Sequence, residues 1–113
     1  GLYTWLASRL NSCHLAYLHV MRADLLQQQS GDVLTPIRKN YTGTLISNMG
    51  YSPTEASEAI ANGQIDAVAF GTAFLANPDL PARIAKGASL NAPNPATFYS
   101  PGPAGYTDYP TLS

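Results

Sequence analysis

The feature that most limits how this chain can fold is a short apolar run that ends on a glycine. Residues 65–81 read IDAVAFGTAFLANPDLP. Ala67, Val68, Ala69 and Phe70 are too few to make a helix, and Asp66 and Gly71 bound them. A run of that length fits a strand buried on both faces. At Gly71 and Thr72 the strand gives way to a helical turn. Unpaired N–H groups and the positive end of the peptide dipoles converge at such a place, which suits a phosphate. On this stretch alone a simple tight turn is the better account of Gly71, because a lone glycine after a strand is a weak sign of a phosphate.

The rest of the chain repeats the same rhythm. Residues 2–10 are predicted as a helix, with Leu2, Leu6 and Leu10 as a stripe facing a core and Trp5 packed beside it. LAYLHV, residues 15–20, is the first strand candidate. Residues 21–31 are polar and read as a loop, and residues 32–41 as a short helix with Pro36 near its start. GTLISN, residues 43–48, is the second strand, and Met49 and Gly50 form the turn after it. Ser52, Pro53 and Glu55 then spell an N-cap, a first-turn proline and a capping-box acid. The helix they start is expected to end at Gly63. Asn77, Pro78 and Asp79 are expected to start a last helix, with Leu80, Ile84 and Ala85 facing inward and Gly87 at its end.

Helices alternating with strands imply a parallel sheet with right-handed crossovers, and ligands of such sheets sit beyond the C-terminal ends of the strands. Two strand ends here, 48–50 and 71–72, are suited to that task. Neighbouring strand ends of this kind resemble the phosphate site after strands seven and eight of a (β/α)₈ barrel. Residues 91–113 hold prolines at 93, 95, 101, 103 and 110, so they stay irregular. They also carry Phe98, Tyr99, Tyr106 and Tyr109, too aromatic for a disordered tail. The expected organisation is therefore βα units over residues 1–90 and an aromatic-rich tail, 91–113, packed on them.

Composition removes several function classes. A net charge of −1 without a basic patch argues against nucleic acid. No apolar run approaches a membrane span, and the first residues lack the pattern of a signal peptide. The single cysteine, Cys13, excludes an internal disulfide and agrees with a cytoplasmic, reducing setting. His14 and His19 have no third ligand nearby, which argues against a metal site. The oligomeric state is open.

Taken together, AVAFGTAFLANPDLP, LISNMGY, YLHV and the tail NPATFYSPGPAGYTDYP resemble the C-terminal third of the Old Yellow Enzyme family. These are FMN-dependent ene-reductases that use NAD(P)H. The resemblance implies an α/β fold, the C-terminal part of a TIM (β/α)₈ barrel. YLHV, TLISN and DAVAFG would be strands six, seven and eight, incomplete without strands one to five. It implies that Met49 and Gly50 offer backbone contacts to the FMN phosphate. Gly71 and Thr72 would do the same after strand eight, where the family usually has Gly-Arg. Thr72 in place of that arginine keeps the backbone contact but loses a charge-assisted bond. Phe98 and Tyr99 match the aromatic pair near the dimethylbenzene edge of the flavin and the substrate opening. No residue here matches the substrate-binding pair, the proton-donating tyrosine or the arginine near flavin N1. The implied partners are the N-terminal part of the enzyme and a small alkene substrate: an enone, a nitroalkene or a maleimide. A different class stays open beside this one: a non-catalytic phosphate- or flavin-binding fragment, or an interaction module of half-barrel type.

Overall fold

A computed structural model describes residues 1–23 and 31–112. Most of the loop expected at residues 21–31 lies outside the described residues. The chain divides into two compact units, Gly1–Ala69 and Phe70–Ser113.

The first unit is built on a three-stranded parallel sheet in the order β1–β2–β3. Its strands are β1 (Leu18–Met21), β2 (Leu45–Asn48) and β3 (Ala67–Val68). The register pairs His19 with Ile46 and Ile46 with Ala67. The parallel order with the middle strand between the other two is the expected one. The strand limits are not. β1 begins at Leu18, not at residue 15, because the ladder opens with Leu18 N–H donating to Thr44 O and earlier residues have no partner strand. β3 is shorter than the expected 65–70 and only half buried, because among the described residues it pairs with β2 alone. Asp66 N–H to Leu45 O and Ala69 N–H to Ser47 O extend its attachment at both ends.

Helices α1 (Leu2–Asn11), α2 (Leu34–Asn40) and α3 (Pro53–Ala61) complete this unit. Leu34, Ile37, Tyr41, Leu45, Ala59 and Ile65 form its core with Ala7. Leu45 is wholly buried, which stabilises the sheet by about 1.5–3 kcal/mol. In α2, Asp32 Oδ1 accepts from the N–H groups of Leu34 and Thr35. Pro36 falls in the first turn, where no intrahelical N–H is needed. Helix α3 follows its local code at both ends. Ser52 Oγ accepts from Glu55 N–H, and Gly63 takes φ +78°. Gly63 N–H to Ile60 O and Gln64 N–H to Ala59 O close a Schellman motif.

Helix α1 departs from expectation. Only Ala7 is buried; Leu2 is 72% exposed and Trp5 61%. Leu6 is exposed and Leu10 half-buried, and the Trp5 ring lies 5.9 Å from the Arg9 guanidinium.

The second unit holds α4 (Thr72–Ala76), α5 (Leu80–Lys86) and a short 3₁₀ turn, Pro95–Thr97. The N-cap of α5 is Asp79, not Asn77, and the early proline is Pro81. Leu80 is buried as expected, but Ile84 and Ala85 are exposed and Arg83 is buried in their place. Gly87 ends the helix in the left-handed conformation, φ 63°.

The irregular tail is fastened by side chains. Arg83 donates through Nε to Asp79 Oδ1 at 2.8 Å, through Nη1 to Ser89 O at 2.7 Å and through Nη2 to Pro110 O at 2.9 Å. Asp79 Oδ2 accepts from Leu112 N–H at 2.7 Å. Buried Asn77 accepts from Asn91 N–H and donates to Ala73 O. No helix among the described residues is long and apolar enough to cross a membrane.

Candidate functional site

The turn after β2 is the most unusual backbone of the first unit. Met49 has φ 86° and Gly50 φ 70°, so two successive residues sit where side chains are disfavoured. Gly50 meets that demand by having no Cβ. Met49 does not, and something must hold it there. Arg22, just after β1, donates from Nε to Met49 O at 2.7 Å. Its other two nitrogens fork onto Glu55, Nη1 to Oε1 at 2.6 Å and Nη2 to Oε2 at 3.0 Å. The guanidinium lies 3.7 Å from the centroid of the Tyr51 ring. Tyr51 in turn donates to Ser47 Oγ, a buried hydroxyl of β2.

Glu55 therefore does not complete the expected capping box. Its carboxylate goes to Arg22, which holds it below the usual carboxylate range, chiefly through that hydrogen bond. Among the described residues no acceptor takes the N–H groups of Gly50 or Tyr51. The turn thus presents free donors, as an anion requires.

In the second unit, Gly71 is the N-cap of α4 and makes no side-chain cap bond. Its φ of −92° is open to any residue, and a Cβ built there meets no atom within 4 Å. Neither turn geometry nor packing calls for a glycine. The space beside the Gly71 backbone is open. Thr72 is exposed and opens α4, so its N–H has no intrahelical partner. Further along, Tyr99 is 97% exposed. Phe98 is half buried, and its carbonyl accepts from the Tyr106 hydroxyl.

Of the residues singled out in the sequence, Met49 and Gly50 lie in the first unit; Gly71, Thr72, Phe98 and Tyr99 lie in the second. The sequence reading missed Arg22, which was absorbed into a polar loop. One signal could have found it: a cation directly after one strand and an acid in the first turn of the helix after the next.

Parallel strands alternating with helices, β1–β2–β3 in order, define an α/β protein, a class whose ligands sit beyond the C-terminal ends of the strands. Residues 4–91 match the NADH:flavin oxidoreductase / NADH oxidase family, and the chain belongs to it. It is 47% identical over 112 residues to a probable flavin mononucleotide-dependent alkene reductase of Leishmania infantum, covering 99% of this chain and 30% of the relative. It is 45% identical over 113 residues to a 12-oxophytodienoate reductase-like protein of Solanum lycopersicum, again 99% of this chain and 31% of the relative. The old yellow enzyme from Trypanosoma cruzi superposes with a TM-score of 0.95 at 45% identity, over 99% of this chain and 30% of that one. Morphinone reductase does so with 0.85 at 40%, over 98% and 30%. The chain thus spans about 30% of the length of the relatives it matches. The Old Yellow Enzyme resemblance read from the motifs is borne out.

Proposed function

We propose that this chain supplies the phosphate end of the flavin site in an FMN-dependent ene-reductase. On this reading β1, β2 and β3 are strands six, seven and eight of a (β/α)₈ barrel, and strands one to five come from the remainder of the enzyme. Among the described residues β1 pairs with β2 alone, which supports that assignment, as does the apolar groove between α1 and β1. The groove encloses about 370 Å³ and is lined by Leu6, Leu10, Leu18 and Val20, among others. Apolar surface of that kind calls for a partner strand and helix.

FMN, when bound, supplies the hydride carrier between NAD(P)H and an activated C=C bond. This chain's part is to bind and orient it. The Gly50 N–H in the first unit, and the N–H groups of Gly71 and Thr72 in the second, are each donors for phosphate oxygens, and the Thr72 hydroxyl adds a neutral donor where the family usually has an arginine. Phe98 and Tyr99 border the flavin edge and the substrate opening, where an enone, nitroalkene or maleimide would enter. A cytoplasmic setting agrees with the exposed free thiol of Cys13.

The observation that carries the reading is Gly71, a glycine that its own fold does not need. Gly71→Val is therefore expected to leave stability unchanged and to weaken FMN retention in the holoenzyme by well over tenfold, on the order of 2 kcal/mol for lost charge-assisted bonds. Flavin fluorescence measures the release. Unchanged FMN affinity would remove the phosphate role from Gly71.

A further inference from the structure

Arg22 is restrained in three ways. Its Nε is spent on Met49 O, its fork on Glu55, and its plane lies over Tyr51. Its own N–H donates to Asn48 O, continuing the β1–β2 ladder by one residue. A guanidinium bound along one edge, forked at its end and stacked on a ring has little freedom left.

What Arg22 holds is a single peptide unit. Met49 C=O and Gly50 N–H belong to the same planar group, and among the described residues no peptide is cis. In a trans peptide the two bonds point in opposite directions. A carbonyl anchored on Arg22 therefore aims the Gly50 N–H away from the guanidinium. Met49, at φ 86°, keeps a conformation that persists only where the surroundings over-determine it. The 2.7 Å bond from Arg22 Nε is that over-determination.

We propose that Arg22 is a positioning residue for the FMN phosphate. It presets the Met49–Gly50 peptide so that the Gly50 N–H is aimed at a phosphate oxygen, and Glu55 and Tyr51 fix the guanidinium that does this. The inference rests on the phosphate reading of the β2 turn given above. Arg22 acts through the peptide and not as the counter-charge of the phosphate, because its own charge is matched by the carboxylate of Glu55.

The test compares FMN with riboflavin, which lacks the phosphate, in the holoenzyme that contains this chain. Dissociation constants come from flavin fluorescence. Arg22→Lys keeps the charge and loses the fork and Nε. It should weaken FMN about tenfold, the loss of one well-aimed bond to a charged group, while riboflavin binding changes less than about twofold. Glu55→Gln, which retains one arm of the fork, should move FMN the same way by roughly threefold. Wild-type FMN binding in Arg22→Lys would overturn the inference. So would equal weakening of FMN and riboflavin by both variants, which would make Arg22 an ordinary structural residue. Gly71→Val separates the two ideas. If it lowers the preference for FMN over riboflavin while Arg22→Lys and Glu55→Gln leave that preference intact, the phosphate reading stands and this inference falls. If the wild type shows no preference for FMN, both fall.

Discussion

The two units of this chain are held together by different means. In the first, helices and a sheet satisfy their own backbone groups, so side chains are free to make an apolar core: Leu34, Ile37, Leu45 and Ile65 are all buried there. In the second, the helices are short and the tail has no ladder, and two of its buried side chains are Asn77 and Arg83. Backbone carbonyls that no strand or helix satisfies must find donors elsewhere. Arg83 and Asn91 supply them to Ser89, Pro110 and Ala76. An irregular segment is thus ordered by a few polar side chains of many bonds, a regular one by many apolar side chains of none.

The contrast can be broken by experiment. Leu45→Ala empties the centre of the first unit and is expected to cost about 4 kcal/mol, the range for truncating a fully buried leucine. Urea unfolding of the holoenzyme reads it; a cost below about 1 kcal/mol would mean that the apolar core is not what holds the sheet.

Arg83→Met is the matching change in the second unit, with an expected cost of about 3 kcal/mol, because it leaves Ser89 O without a donor, Pro110 O with Asn91 alone and Asp79 without its cation. The loss should show first as faster proteolysis within residues 91–112. A tail that resists protease unchanged would place its anchoring elsewhere.

Thr72→Arg sharpens the comparison at the site. A charged donor at the head of α4 should tighten FMN by about 1–2 kcal/mol without altering unfolding, since Thr72 is exposed. Looser binding would mean that the second unit has no room for the family's usual side chain.

Acid supplies the subtlest probe. Asp79 is held below the usual carboxylate range, first by the Leu112 N–H and then by Arg83. A depressed folded pKa means that the stabilisation is fully present above the unfolded value, near 4 by ordinary carboxylate behaviour, and fades as pH falls through the folded value. Protease protection of the tail should therefore decline in acid, and Asp79→Asn should be weaker at neutral pH and flat across that range. Asp66 and Glu55 titrate in the same direction in the first unit, but the apolar core there should keep the sheet folded after the tail has loosened.

Much of this was legible along the chain because the physics involved is local. Ser52 and Gly63 bound α3 as written, Gly87 ends α5 with positive φ, and the strand order follows from the helix–strand alternation. Caps, left-handed glycines and periodic apolar positions act within a few residues, so sequence alone carries them. The turns that carry the proposed site, at Gly50 and Gly71, were legible for the same reason, since a strand-ending glycine is a local sign. Tertiary structure decided what depends on distant partners. Glu55 reads as a capping acid until Arg22, 33 residues away, takes its carboxylate. Arg83 carries no local sign of its burial, which depends on the carbonyl of Pro110, 27 residues on. Trp5 reads as core and is exposed, because a large aromatic marks surface to be covered without naming what covers it. A charged side chain has no preferred partner in its own helix turn strong enough to outbid a fork or a stack brought within 4 Å by the fold.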